Sequence, residues 1–91
     1  MGFGSYLREK REERDLTLAQ LAEKLGISVA YLSRIERDRE NAPKDDLIQK
    51  ICKALGINCD EAYAEARRLP PDLRNHAYEV IAAYRKSQKK D

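Results

Sequence analysis

Cysteine, histidine and long apolar runs are scarce in this chain, and each scarcity closes off a class of function. Cys52 and Cys59 stand alone, seven positions apart, with no CxxC and no histidine at metal-ligand spacing. Two free thiols filling a core in a reducing cytoplasm are expected, rather than a disulfide or a metal site. The single histidine, His76, has no second histidine and no nucleophile beside it, so it is read as a solvated or packing residue. No glycine-rich phosphate loop occurs, and the carboxylates fall on solvated helix faces, so neither an enzyme nor a cofactor is expected. No apolar segment approaches the length of a membrane span, and the N-terminus carries no signal-peptide pattern. Met1-Gly2 opens like a myristoylation site, but Tyr6 stands where a Ser or Thr is required. Internal repeats and strand-like alternation are both missing.

What is present is charge and helical periodicity. Charged residues make up 37% of the 91, yet the apolar ones recur at helical spacing, which predicts a folded all-α protein with one modest core. Residues 1–69 carry 13 basic and 13 acidic side chains; the net +2 comes from residues 70–91.

Helix 1 is predicted over about Gly4 to Arg14, with Phe3, Leu7 and Arg11 in one inward row. Thr17 caps a second helix whose Leu18, Leu21, Ala22 and Leu25 share a face, and Gly26 ends it in the left-handed conformation. Ser28 caps a third, with Leu32 and Ile35 inward. Two helices this short need packing at a steep angle against other elements. Helix 4 is predicted over Lys44 to Leu55, closed by Gly56. Helix 5 follows over Cys59 to Arg68, with Asn58 and Glu61 read as a capping box. Leu69-Pro70-Pro71 is a hard stop that divides a 1–69 domain from a 70–91 C-terminal segment. Helix 6 is predicted from Pro71 or Asp72 to about Lys86, leaving Ser87 to Asp91 as a frayed basic tail.

The stretch Thr17 to Glu36 resembles the DNA-binding domain of Cro-like phage repressors, the Xre family of helix-turn-helix regulators. Thr17, Leu21-Ala22, Gly26-Ile27-Ser28, Tyr31-Leu32-Ser33 and Ile35-Glu36 carry the likeness, which extends from about Phe3 to Leu69. It implies a five-helix repressor-like domain plus an extra C-terminal helix, and a sequence-specific transcriptional regulator acting on double-stranded DNA. It also implies that Arg11 pairs with Glu36, tying helix 1 to the end of the recognition helix.

On a helical wheel, Val29, Ala30, Ser33, Arg34 and Arg37 lie away from the inward Leu32, Ile35 and Glu36. Val29, Ala30, Ser33 and Arg34 are the candidates for base readout: Arg34 matches the guanine O6/N7 edge bidentately, and exposed methyl groups suit thymine. Positioning contacts to the DNA backbone are expected from Thr17, Leu18, Ser28, Tyr31, Arg37, Arg39, Asn41 and Lys44. Two departures weaken that expectation. Leu18 stands where the family usually has a phosphate-gripping Gln, and Asp38, Glu40, Asp45 and Asp46 interrupt the basic loop, where they would repel phosphates.

A single recognition helix reads too few base pairs for useful selectivity, so a homodimer on a palindromic operator is expected, with its readers about 34 Å apart. Leu73, Ala77, Val80, Ile81 and Tyr84 form the candidate dimer stripe, unless they pack back on helix 1 or 5. The alternative, favoured by the neutral charge, is an antitoxin-like module whose main partner is a protein. A cytoplasmic protein with no membrane partner fits either reading.

Overall fold

In the computed structural model, which describes residues 2–88, the chain forms helices and no strand among those residues. They are α1 (Phe3–Glu13), α2 (Leu18–Leu25), α3 (Val29–Glu36), α4 (Asp45–Leu55), α5 (Cys59–Glu65), α6 (Pro71–Arg74) and α7 (Ala77–Gln88). The all-α expectation, with five helices and a C-terminal extension, holds.

Each short helix is made by local chemistry at its ends. Thr17 and Gln20 form a reciprocal capping box at α2: Thr17 Oγ1 accepts the Gln20 N–H at 3.0 Å, and Gln20 Oε1 accepts the Thr17 N–H at 2.9 Å. Ser28 caps α3 by accepting the Tyr31 N–H. Gly26 and Gly56 end α2 and α4 with φ of 70° and 62°, where a Cβ would be strained. The other three bundle helices stop without glycine, at Asp15, Asp38 and Arg67, all left-handed. At each of them two N–H groups fold back onto the last turn, as in Arg39 N–H to Arg34 O at 2.9 Å.

Packing then fixes the angles. α1 lies across α3 and α5, while α4 packs on α2 and α5. Phe3 and Leu7, Leu21 and Leu25, Leu32 and Ile35, Ile48 and Ile51, Leu55 and Tyr63 meet in one core. Gly4 is buried against the end of α3. A Cβ there would collide with the Ile35 carbonyl oxygen and lie 2.7 Å from that of Glu36. The close approach lets the Gly4 N–H donate to Asp38 Oδ1 at 2.9 Å, so the loop after α3 caps α1.

Several boundaries differ from the sequence expectation. Helix 5 ends at Glu65 rather than Arg68, because Arg67 turns left-handed (φ 59°) and Arg68 donates to the carbonyls of Ala42 and Pro43. The Asn58–Glu61 capping box is only half made. Asn58 accepts the Glu61 N–H, but the Glu61 carboxylate instead accepts the Tyr6 hydroxyl at 2.9 Å. Partial burial, with that bond, holds the Tyr6 phenol well above its usual range. The single predicted C-terminal helix is broken at Asn75-His76, where the His76 N–H bonds back to Leu73 O and Arg74 is drawn to Leu69 O and Asp45. α7 runs on to Gln88, past the predicted end at Lys86; the remainder of the predicted tail, residues 89–91, lies outside the described residues, as does Met1 of the discounted lipidation motif.

Replacing Gly4 by alanine is expected to lower the unfolding free energy by about 1–3 kcal/mol, because backbone atoms of α3 must move to admit the methyl group. Urea denaturation of the two proteins measures the difference.

Candidate nucleic-acid interface

The candidate recognition helix is α3, and its position is set from beneath by Arg11 and Glu36. Both are only 8% exposed. Arg11 Nε donates to Glu36 Oε2 at 2.7 Å, Nη2 to Oε1 at 3.0 Å, and Nη1 to Leu16 O at 2.7 Å. The bidentate carboxylate holds the guanidinium more firmly protonated than usual. The pair joins the last turn of α1 to the last residue of α3. Among the described residues no buried side-chain polar atom lacks a partner.

Above that foundation, α3 shows solvent a face of small side chains and one long cation. Val29, Ala30 and Arg34 are exposed; Ser33 is half-buried and turns toward α2. Arg34 lies with its guanidinium carbon 5.9 Å from the centre of the half-buried Tyr31 ring, and its Nε donates to Glu40 Oε2 at 3.0 Å. Ser33 of α3, Arg37 just past its end, Leu18 of α2 and Arg8 of α1 surround a shallow concavity floored by Arg11 and Glu36. Arg8 is exposed on α1, and no motif in the sequence marks it. Its place beside α2 and α3 depends on how α1 crosses them.

The backbone-contact candidates occupy two places. Thr17 and Leu18 are at the start of α2, where Thr17 is engaged in the capping box; the Leu18 and Ala19 N–H groups have no carbonyl four residues back within the helix. Ser28 and Tyr31 are in the turn and first turn of α3. Arg37, Arg39, Asn41 and Lys44 are exposed along the loop from α3 to α4, and none of the three cations there forms an ion pair among the described residues.

Three of the four loop carboxylates have partners within the fold. Asp38 is turned away to cap α1. Asp45 is bound by Arg68 at 3.4 Å and Arg74 at 2.9 Å, and the Arg74 hydrogen bond holds its carboxyl below the usual range. Glu40 is paired with Arg34. Of the four, only Asp46 is left without a partner among the described residues. Asp38 and Asp45 are thus occupied within the fold, while Glu40 stays beside α3.

The C-terminal stripe is uncovered. Leu73, Ile81 and Tyr84 are exposed, Tyr84 by 65%; Ala77 and Val80 are half-buried, and α7 buries no residue. The cysteines are free, and burial pushes the Cys52 thiol up to about 12, aided by a hydrogen bond with Cys59. Among the described residues no group of side chains could hold a metal ion, and no helix is long and apolar enough to cross a membrane.

Comparison with known proteins agrees with this architecture. The helix-turn-helix family model matches residues 7–61, and the chain belongs to that family, as the likeness to Cro-like repressors implied. It is 49% identical over 55 residues to the HTH-type transcriptional repressor RghR of Bacillus subtilis, covering 60% of this chain and 41% of RghR. An uncharacterised HTH-type transcriptional regulator of Mycobacterium tuberculosis is 35% identical over 78 residues, 86% of this chain and 55% of that protein. The chain thus spans about half the length of these curated relatives. The crystal structure of SinR, a master regulator for biofilm formation, in complex with DNA superposes with a TM-score of 0.62 at 30% identity, over 66% of this chain and 95% of SinR.

Removing one partner of the buried pair strands the other's charge. Arg11→Ala and Glu36→Ala are each expected to lose about 3–5 kcal/mol of stability by urea denaturation. The double replacement Arg11→Met with Glu36→Leu is expected to lose less than either, since it leaves no charge buried.

Proposed function

We propose that this chain is the DNA-binding part of a transcriptional regulator that lays α3 in the major groove of duplex DNA, as a homodimer on a palindromic operator. The observation that carries the reading is the outward face of α3. Its small side chains let a helix approach base edges, and Arg34 is the one long donor on it. The C-terminal arm does not cover it: α6 is anchored at Asp45, and α7 buries none of its residues. Arg37, Arg39 and Lys44 flank it, unpaired among the described residues and suited to phosphates, and they fix register without reading sequence. The relatives' names as transcriptional regulators support the same assignment. No catalytic step belongs to it, and the cytoplasm, where a bacterial or phage operator lies, is its place of action.

Homodimerisation is assigned to the α6–α7 stripe. Its exposed Leu73, Ile81 and Tyr84 would be covered by a second copy, in the symmetric arrangement commonest among small oligomers. Two recognition helices then meet successive major grooves about 34 Å apart.

The test is titration of a duplex selected by the protein from a randomised pool, at two salt concentrations. Arg34→Ala is expected to cost about 1–3 kcal/mol on the selected duplex and to relax the choice at one base pair. Arg37→Ala and Lys44→Ala should weaken all duplexes alike, each flattening the log–log salt slope by about 0.9. Unchanged affinity for Arg34→Ala would put the reading surface elsewhere. Stoichiometric capture of a protein, with no salt-dependent DNA binding, would favour the protein-interaction role instead.

A further inference from the structure

Arg34 is the least constrained kind of side chain for a reading task, since a long guanidinium arm loses rotamer freedom whenever it is fixed. In this chain it is held before any ligand arrives. One edge, Nε, donates to Glu40 Oε2 at 3.0 Å, and the Tyr31 ring lies 5.9 Å from its guanidinium carbon. The terminal Nη1 and Nη2 groups take no partner among the described residues. They are the pair that can meet guanine O6 and N7 side by side.

Glu40 is no freely wandering loop residue. The chain leaves α3 through Asp38 in the left-handed conformation (φ 57°), and the Arg39 N–H closes back on Arg34 O at 2.9 Å. The Asp38 carboxylate is itself fastened to the Gly4 N–H of α1. This turn is pinned on both sides, and it delivers Glu40 to the flank of the arginine six residues earlier. A carboxylate beside a DNA-facing helix costs affinity through repulsion of phosphates, so its placement calls for a compensating role.

We propose that Glu40 is a positioning residue for sequence readout: it fixes the Arg34 guanidinium so that Nη1 and Nη2 face the base edge, trading general affinity for discrimination. The proposal rests on the reading of α3 given above. Arg34 is 51% exposed and Glu40 41%, so the pair adds little to stability, and its effect lies in the geometry of the free reader.

The experiment uses the duplex selected by the wild-type protein, its variants changed at single base pairs, and a random-sequence duplex, titrated with wild type, Arg34→Ala, Glu40→Ala and Glu40→Gln. Arg34→Ala is expected to lose about five- to a hundredfold of the discrimination at one base pair. Glu40→Ala should lose about two- to fivefold at that same base pair, the worth of an exposed ion pair, while binding the random duplex more tightly. Glu40→Gln keeps an acceptor oxygen, so its discrimination should fall at or between those of Glu40→Ala and wild type, again with tighter random binding. If Arg34→Ala loses discrimination while Glu40→Ala retains it, or if Glu40→Ala changes all duplexes by one common factor, the positioning role is wrong and the reading of α3 stands. If Arg34→Ala itself retains discrimination, that reading fails and this inference with it.

Discussion

Two eight-residue helices have almost no means of holding themselves in place, and the Arg11–Glu36 pair is the constraint that lets them. Glu36 is the last residue of α3, and its two oxygens take the Nε and Nη2 edge of a guanidinium projecting from α1. The third contact, to Leu16 O, reaches the segment that leads into α2. One buried cation thus ties three helices at a single point. Hydrophobic contacts are tolerant of small slides; a bidentate pair with two fixed distances is not. Such a pair specifies an arrangement more than it stabilises one, because both charges are removed from water.

From that point the geometry propagates outward. With the end of α3 fixed over α1, Gly4 can lie against the Ile35 and Glu36 carbonyls, and Asp38 can reach across to the Gly4 N–H. The turn at Asp38 then carries the chain past Arg34 and places Glu40 beside it. Farther along, Arg68 and Arg74 converge on Asp45 and the Ala42–Pro43 carbonyls, joining the C-terminal arm to the loop that follows α3. Two carboxylates that look obstructive in sequence, Asp38 and Asp45, are fastenings of this loop. Arg37, Arg39 and Lys44, unpaired among the described residues, then form the character of the surface.

Much of this was legible beforehand because it is local. Thr17, Ser28, Gly26 and Gly56 mark helix ends through hydrogen bonds and φ values that span three or four residues. The inward rows of α1 to α4 follow from helical spacing alone, and the likeness to Cro-like repressors rested on those same positions. The Thr17-x-x-Gln20 capping box is local in the same way, its two bonds spanning three residues. Helix ends without glycine were harder. Arg67 is left-handed because Arg68 is pulled toward the Ala42 and Pro43 carbonyls, some twenty-five residues away in sequence.

What the sequence determined by itself, then, is the set of helices in the bundle, which faces they bury, and the family to which the chain belongs. Tertiary structure alone decided where each charge goes. Arg8 beside α2 and α3, Asp38 on α1, Asp45 between two arginines and Glu40 on Arg34 all depend on segments that meet only after folding. Charge–charge contacts carry no periodicity; any of sixteen carboxylates can serve any of eighteen cations, and only the packed backbone selects among them. The break at Asn75-His76 belongs to the same class, since a distant carboxylate, Asp45, holds Arg74.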